Sequence, residues 1–153
     1  MTSWSDIEAS DPELAERARA CFTASTNAVL GTLRRDGSPR LSGIDPMLFD
    51  GELYIGSMPR ARKGADLRRD PRAALHSIPW ESRAVTEGQP LMAGDAKVSG
   101  RAVLVTDAAE IRRVMGDHQA ATGFEAPPES DLFRFDIEEL VCISVQDDQL
   151  VVD

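Results

Sequence analysis

Two Asp-Gly dipeptides, each set between short apolar segments, constrain the fold more than any other feature of this chain. Asp36-Gly37 follows the segment 28–33, and Asp50-Gly51 separates the segment 40–49 from 52–56. Asp-Gly favours tight turns with positive φ, which join neighbouring antiparallel strands. The three segments therefore predict a β-meander.

The remaining chain adds further strands and three helices. Pro46 predicts a bend within the second strand, because proline cannot donate a hydrogen bond to a neighbouring strand. Gly100 predicts a bulge or a close backbone approach inside a long strand over 93–105. Other strands are expected at 72–78, 132–137, 140–145 and 150–152, helices at about 12–24, 60–69 and 107–115, loops at 79–90 and 116–130, and a turn at Asp147-Asp148. No βαβ rhythm repeats, and antiparallel strands in this number favour a closed barrel.

The size, charge and cysteine content of the chain argue against several classes of protein. With 153 residues it is expected to form one domain, with a helical region over 1–26 and the barrel over 27–153. A net charge of −9 argues against nucleic-acid binding. No apolar run approaches the roughly 20 residues that cross a bilayer, and no signal-peptide pattern opens the chain. Cysteines that lie far apart in sequence fit a reducing compartment, so a cytoplasmic protein is expected.

A local reversal of charge marks the segment that follows the third strand. Six basic residues fall within thirteen positions of this acidic chain: Arg60, Arg62, Lys63, Arg68, Arg69 and Arg72. Free amides at a helix N-terminus attract anions, and neighbouring Arg and Lys side chains add donors. Ser57 offers a hydroxyl at the same place, and Arg40 on the second strand could point toward the same anion. These residues predict a phosphate site, with a solvated helix face as the alternative.

The sequence lacks the motifs of several other kinds of active site. HExxH, paired CxxC, GxSxG, GxGxxG and the P-loop pattern do not occur, so neither a metal site nor a nucleophilic catalytic residue is expected. His76 lies in an apolar strand and His118 near a helix end, where a structural role is favoured over that of a ligand or a base. Trp80 is expected to pack rather than to cover a ring.

Five short motifs occur in a fixed order along the chain. They are Leu30-Gly31-Thr32-Leu33, Asp36-Gly37-Ser38-Pro39-Arg40, Tyr54-Ile55-Gly56-Ser57, Arg62-Lys63 and Asp70-Pro71-Arg72-Ala73-Ala74-Leu75. This order resembles that of the pyridoxamine 5′-phosphate oxidase-like family of FMN-binding split β-barrels, which includes actinobacterial reductases that use the deazaflavin coenzyme F-420. The resemblance implies a mainly β fold with a few helices: an antiparallel split β-barrel of six to eight strands.

The resemblance also implies a cofactor site and an activity. Arg62 and Lys63 would hold the cofactor phosphate, together with Ser57 and with Arg40 from the second strand. The backbone of Ser42, Gly43 and Ile44 would hold the isoalloxazine ring. Members of the family are similar in being homodimers with two cofactors at the subunit interface. The implied function is hydride transfer between FMN or F-420 and a small organic substrate, with the ring supplying the chemistry.

Departures from the family pattern leave other functions open. Ala61 stands where a serine normally precedes the Arg-Lys pair, and Asp45 stands where a lysine is expected. The oxidase's C-terminal substrate-binding tail has no counterpart, so pyridoxal phosphate synthesis is not expected. The alternatives are a cofactor carrier without turnover, a heme-binding protein that uses His76 or His118, and a regulatory barrel whose basic segment contacts another protein.

Overall fold

The computed structural model describes residues 1–78, 94–146 and 149–153. In these residues it contains four helices and eight strands. The helices are α1 (Trp4–Ser10), α2 (Pro12–Thr23), α3 (Arg62–Arg69) and α4 (Ala108–Thr122). The strands are β1 (Ala28–Leu33), β2 (Pro39–Ile44), β3 (Pro46–Phe49), β4 (Glu52–Ser57), β5 (Arg72–Ser77), β6 (Asp95–Leu104), β7 (Asp131–Gln146) and β8 (Gln149–Val152).

The order of the strands in the sheet explains why it curls. The hydrogen-bonded order is β2-β1-β5-β6-β7-β4-β3, with β8 added to β7, and every described pairing is antiparallel. β2 and β3 lie at opposite ends of this path, yet only Asp45 separates them in sequence. The sheet must therefore curl until its two end strands approach each other. This arrangement confirms the expected antiparallel split β-barrel.

Both predicted hairpins are present, but they lie at opposite ends of the sheet and do not form the continuous three-stranded meander that was predicted. Asp50 and Gly51 have φ values of 50° and 74°, as a type I′ turn between β3 and β4 requires. Gly37 has a φ of 82° in the turn between β1 and β2. The single strand predicted over 40–49 is instead two strands that meet at Asp45 and pair at opposite ends of the sheet.

Gly100 lies at a β-bulge, as its sequence context predicted. The register of β6 and β7 pairs Ser99 with Glu139 and Gly100 with Ile137, so Glu138 is the extra residue. A Cβ at position 100 would overlap the carbonyl oxygen of Asp136, and only glycine permits this approach. The bulge also unites the segments 132–137 and 140–145, predicted as separate strands, into the single strand β7.

The helices correct the prediction in two further places. α1 was not predicted; a capping box of Ser3 and Asp6 begins it, and the indole of Trp4 is fully buried in the core. α4 continues to Thr122 rather than ending near Met115, and Gly123 caps it with a φ of 74°.

No helix among the described residues is long and apolar enough to cross a membrane. The predicted loop 79–90 with Trp80, and the predicted turn at Asp147-Asp148, lie outside the described residues.

Two apolar clusters position the elements around the candidate site. The larger contains Trp4, Phe133 and Phe135 and joins α1, α2 and α3 to the sheet, with Leu67 as the buried contact of α3. The smaller holds α4 against β3 and β4 through Val114, which is almost fully buried. Consequently α3 and α4 approach the end of β4 from two sides.

Candidate functional site

A cleft of ≈ 230 Å³ opens where β2, β3 and β4 meet the start of α3 and the segment that follows α4. It contains four of the residues that the sequence predicted for a cofactor site: Gly43, Ile44, Ser57 and Lys63. The remaining lining residues are Asp45, Met47, Gly56, Met58, Met115, His118, Phe124, Ala126 and Ser130.

Ser57 ends β4 with a hydroxyl that lacks a partner. The residue is 3% exposed, and its Oγ makes no hydrogen bond to any described residue. A buried polar atom without a partner destabilises a protein by about 1–3 kcal/mol, so such atoms are uncommon, and a catalytic role or a bound water or ion is among the explanations for one. Gly64 makes room for this hydroxyl, because a Cβ at that position would lie 2.7 Å from Oγ.

The first turn of α3 faces the same point of the cleft without a side-chain cap. Its N-cap, Ala61, has extended backbone and supplies no capping hydrogen bond, and its first turn contains no acidic residue. The first N–H groups of a helix have no partner within the helix, and the helix dipole favours an anion beside them. With the unpartnered Ser57 hydroxyl, this end of α3 offers several donors to one anion.

Lys63 adds a half-buried ammonium to these donors. Its Nζ donates to the carbonyl oxygen of Gly43 over 3.4 Å, which spans the cleft from α3 to β2. Burial lowers the pKa of Lys63, and the nearby carboxylate of Asp45 partly opposes that shift. Asn27 in turn donates to Asp45 over 2.5 Å. The cleft thus holds a partly desolvated cation beside the carboxylate of Asp45, and a bound anion would compensate its charge further.

Arg40, Ser42 and Arg62 do not line the cleft. The Nε of Arg40 donates to the buried carboxylate of Asp66 over 2.6 Å. Ser42 lies on β2 opposite Leu30, and Arg62 is exposed at the start of α3. Their predicted roles in holding the cofactor remain predictions.

One wall of the cleft was missed by the sequence reasoning, because most of it lies in the segment 116–130, which was interpreted as a loop. Met115 ends the predicted helix, and His118 lies in the part of α4 beyond it. Phe124, Ala126 and Ser130 come from the segment after α4. The ring of His118 packs edge-on against Phe124 with the centroids 6.3 Å apart. The helical spacing of Val114 and His118 was the available signal that α4 continues past Met115.

His76 and the cysteines lie outside the cleft. His76 on β5 contacts the carbonyl oxygen of its neighbour Ser77 through Nδ1 at 2.6 Å. Cys21 and Cys142 are both free thiols, and burial raises the pKa of each. In the described part of the chain, no group of three or more His, Cys, Asp or Glu side chains could hold a metal ion.

Comparison with known proteins assigns the chain to a family. The family model for pyridoxamine 5′-phosphate oxidase matches residues 14–141. The chain belongs to the pyridoxamine 5′-phosphate oxidase family. The strands β1 to β6, most of β7 and the cleft residues Gly43, Ile44, Ser57 and Lys63 lie within the matched range. No curated protein sequence matches the chain.

Solved structures show that the fold of this oxidase-family chain is widely shared. A candidate pyridoxamine 5′-phosphate oxidase from Listeria innocua is 20% identical, with a TM-score of 0.64 over 85% of this chain and 98% of that one. A heme-binding protein from Mycobacterium smegmatis is 21% identical, with a TM-score of 0.68 over 93% of this chain and 58% of that one. HutZ, the heme storage protein of Vibrio cholerae, is 19% identical, with a TM-score of 0.63 over 85% and 92%. At these identities the likeness is one of fold.

Proposed function

We propose that this chain is an oxidoreductase that binds FMN or coenzyme F-420 in the cleft and transfers hydride between that cofactor and a small organic substrate. The observation that carries the proposal is the buried Ser57 hydroxyl, which has no partner among the described residues and lies with Lys63 at the uncapped start of α3. Both cofactors contain a phosphate group joined to the side chain of a ring. Membership in the oxidase family supports a cofactor of this kind.

The residues present fit such a cofactor. Lys63, Ser57 and the first amides of α3 would bind the phosphate oxygens, and Gly64 keeps the space beside Ser57 open. Ile44, Met47 and Met115 give the rest of the cleft an apolar lining that suits a planar ring. When bound, the flavin or deazaflavin ring supplies the hydride chemistry. The chain's own residues bind the cofactor, orient it and exclude water around it.

The basic residues of α3 and of the turn before it differ in whether they are already paired. Arg68 is paired with Asp131, and Arg69 with Asp66. Arg60 and Arg62 are exposed and make no ion pair with a described residue. Arg60 and Arg62 therefore remain available to bind the anionic glutamate tail of F-420, and both cofactors stay within the proposal.

The test is a titration of the purified protein with FMN and with F-420, followed by fluorescence. We expect micromolar binding of one of them, followed by its reduction or oxidation in the presence of substrate. The double variant Ser57→Ala, Lys63→Met should weaken binding about 100-fold, since a hydrogen bond to a charged group contributes about 1.5–3 kcal/mol. Lys97→Met is the matched control, because Lys97 is the chain's other lysine and lies on β6.

The outcomes of this titration separate three cases. Tight binding that the double variant leaves unchanged would contradict the site assignment. Binding without turnover of any acceptor would favour a cofactor carrier. Failure of the folded wild type to bind either cofactor would contradict the proposed function. We also propose a homodimer with the cofactor at the subunit interface, as the family resemblance implies.

Heme binding is the second candidate function, and the placement of His118 favours it. His118 lines the cleft beside Met115, whereas His76 lies outside it, and two structures of the same fold are named for heme. Imidazole and thioether groups are both heme ligands. A Soret band on heme addition that is lost in His118→Ala and kept in His76→Ala would support this function. No Soret shift in the wild type would contradict it.

A further inference from the structure

Ser130 is a second hydroxyl in the cleft that has no hydrogen-bond partner. It directly precedes β7, at the end of the segment that follows α4. Its Oγ is buried and makes no hydrogen bond to any residue that the structure describes. Its backbone is nevertheless fixed, because its N–H donates to the carbonyl oxygen of Pro127 over 2.9 Å. The hydroxyl is therefore held in place without an internal acceptor.

The sheet brings the backbone of Ser130 close to that of Ser57. The register of β4 and β7 pairs Ser57 with Asp131, the residue after Ser130. Both serines line the cleft that also holds Lys63. The cleft thus contains one unpartnered hydroxyl at the end of β4, another just before β7, and the half-buried ammonium of Lys63.

Other hydroxyls of this chain show what a structural role looks like. Thr122 donates to the carbonyl oxygen of His118 over 2.7 Å, and Ser10 donates to that of Ile7 over 3.1 Å. Such local bonds to the backbone are how Ser and Thr are usually satisfied when no ligand is involved. The carboxylate of Asp131, which follows Ser130 directly, is occupied by Arg68. Ser57 and Ser130 have no comparable acceptor among the described residues.

We propose that Ser57 and Ser130 form a two-hydroxyl subsite that binds a phosphoryl group together with Lys63. A phosphoryl group presents several acceptor oxygens, so it can accept from both hydroxyls and the ammonium at once. The inference rests on the proposed function, since the phosphoryl group is that of the cofactor. It adds that the segment after α4 contacts the ligand directly, through Ser130.

The test compares Ser130→Ala with Ser10→Ala, the control, whose exposed hydroxyl lies outside the cleft. Each is titrated with FMN and with riboflavin, which lacks the phosphate. We expect Ser130→Ala to weaken FMN binding about tenfold and to leave riboflavin binding unchanged, as the loss of one hydrogen bond to a charged group implies. Ser130→Thr keeps a hydroxyl and should restore most of the FMN affinity. If the protein binds F-420 instead, F-420 and its phosphate-free core replace the two ligands.

Failure of this inference differs from failure of the proposed function. If Ser57→Ala weakens FMN binding and Ser130→Ala does not, the cofactor site stands and the role of Ser130 is overturned. If neither cofactor binds, inorganic phosphate is the probe. Phosphate should then raise the melting temperature of the wild type and not that of Ser130→Ala. An equal rise in both proteins, or none in either, would overturn the subsite.

Discussion

At the scale of single residues, Lys63 carries a charge that folding disfavours and that a bound anion would stabilise. Burial lowers its pKa below the ordinary value. The folded protein therefore loses this proton at a lower pH than the unfolded chain does. The contribution of Lys63 to stability rises as the pH rises between the two pKa values. Anion binding weakens over the same interval, because the ammonium is lost.

We predict that Lys63→Met separates stability from binding. The ligand-free variant should be at least as stable as the wild type at pH 7, since methionine keeps most of the length of the side chain without its charge. Any excess stability should shrink as the pH rises toward the unfolded pKa of about 10.4. Affinity for the phosphate-containing cofactor should fall at least tenfold. Urea unfolding between pH 7 and pH 10, and cofactor titration at pH 7, measure the two effects. A less stable variant that keeps full affinity would contradict this account.

Gly64 provides a second prediction at this scale, with Gly116 as its control. A Cβ at position 64 would lie 2.7 Å from Ser57 Oγ and 3.1 Å from Asp131 Oδ2, whereas a Cβ at position 116 meets nothing within 4 Å. Gly64→Ala should displace the Ser57 hydroxyl and weaken cofactor binding about tenfold, the value of one charge-assisted hydrogen bond. Gly116→Ala should stabilise α4 by roughly 0.5–1 kcal/mol and leave binding unchanged. Thermal melts and titrations of both variants test this, and equal affinities would refute the Gly64 assignment.

At the scale of elements, a buried ion-pair cluster connects α3 to two strands. The carboxylate of Asp66 is 4% exposed and accepts from Arg40 on β2, Thr32 on β1 and Arg69 on α3 itself. Burial raises the pKa of Asp66, but these three hydrogen bonds outweigh it and leave the pKa below its ordinary value. The cluster fixes the direction of α3, and hence where its first turn meets Ser57.

We predict that Asp66→Asn destabilises the protein by about 3 kcal/mol at pH 7, because it removes the negative charge that pairs with the guanidinium groups of Arg40 and Arg69. Since the folded pKa of Asp66 is depressed, its contribution is present above the unfolded value of about 3.9 and is lost as the pH falls through the folded pKa. The difference between variant and wild type should therefore shrink below about pH 4. Asp70→Asn, which removes an exposed pair with Arg72, is the control with a smaller loss. Urea unfolding at pH 7 and below about pH 4 measures the free energy of unfolding of each variant. Equal losses of stability in Asp66→Asn and Asp70→Asn would contradict the role of Asp66.

The elements also show which parts of the fold could be predicted from the sequence and which could not. Short-range signals were sufficient for the Asp-Gly turns, the bulge at Gly100 and α2. The bulge at Glu138 shifts the alternation of β7 by one residue, so a single strand was interpreted as two. The cleft was predicted only on the side built by β2, β4 and α3. Its other wall depends on where α4 ends, and helix ends are set by tertiary packing as much as by local pattern.

At the scale of the whole molecule, the order of the strands in the sheet, rather than any single strand, determines where the candidate site forms. In the sequence β2 and β3 look like one strand. In the structure β2 pairs with β1 at one end of the sheet, and β3 pairs with β4 at the other end. Pro46 predicted a bend in the segment 40–49. The strands that pair with β2 and with β3 could not be predicted in the same way, because that pairing depends on residues far away in sequence. This one connection at Asp45 curls the sheet and brings Gly43 of β2 near Ser57 of β4. The candidate site is therefore a consequence of how the barrel closes.

Exposed apolar side chains near the cleft lead to the last prediction. Leu41 is 75% exposed on β2, two residues before Gly43, and Met58 and Phe124 at the cleft are each 49% exposed. Several exposed apolar side chains in one region are typical of an interaction surface. We predict that the wild type is a homodimer at micromolar concentration and that Leu41→Glu makes it a monomer. Light scattering during size-exclusion chromatography measures both masses.

Val152→Glu is the matched control for this prediction. Val152 is 59% exposed, but it lies on β8, which pairs with β7 rather than with the strands of the cleft. The control should remain a dimer, because the predicted interface follows β2 and the cleft. A monomeric wild type would refute the dimer. A dimer that survives Leu41→Glu and dissociates in Val152→Glu would place the interface at β8, away from the candidate site. If Leu41→Glu is monomeric and also loses cofactor affinity, the two subunits build the site together.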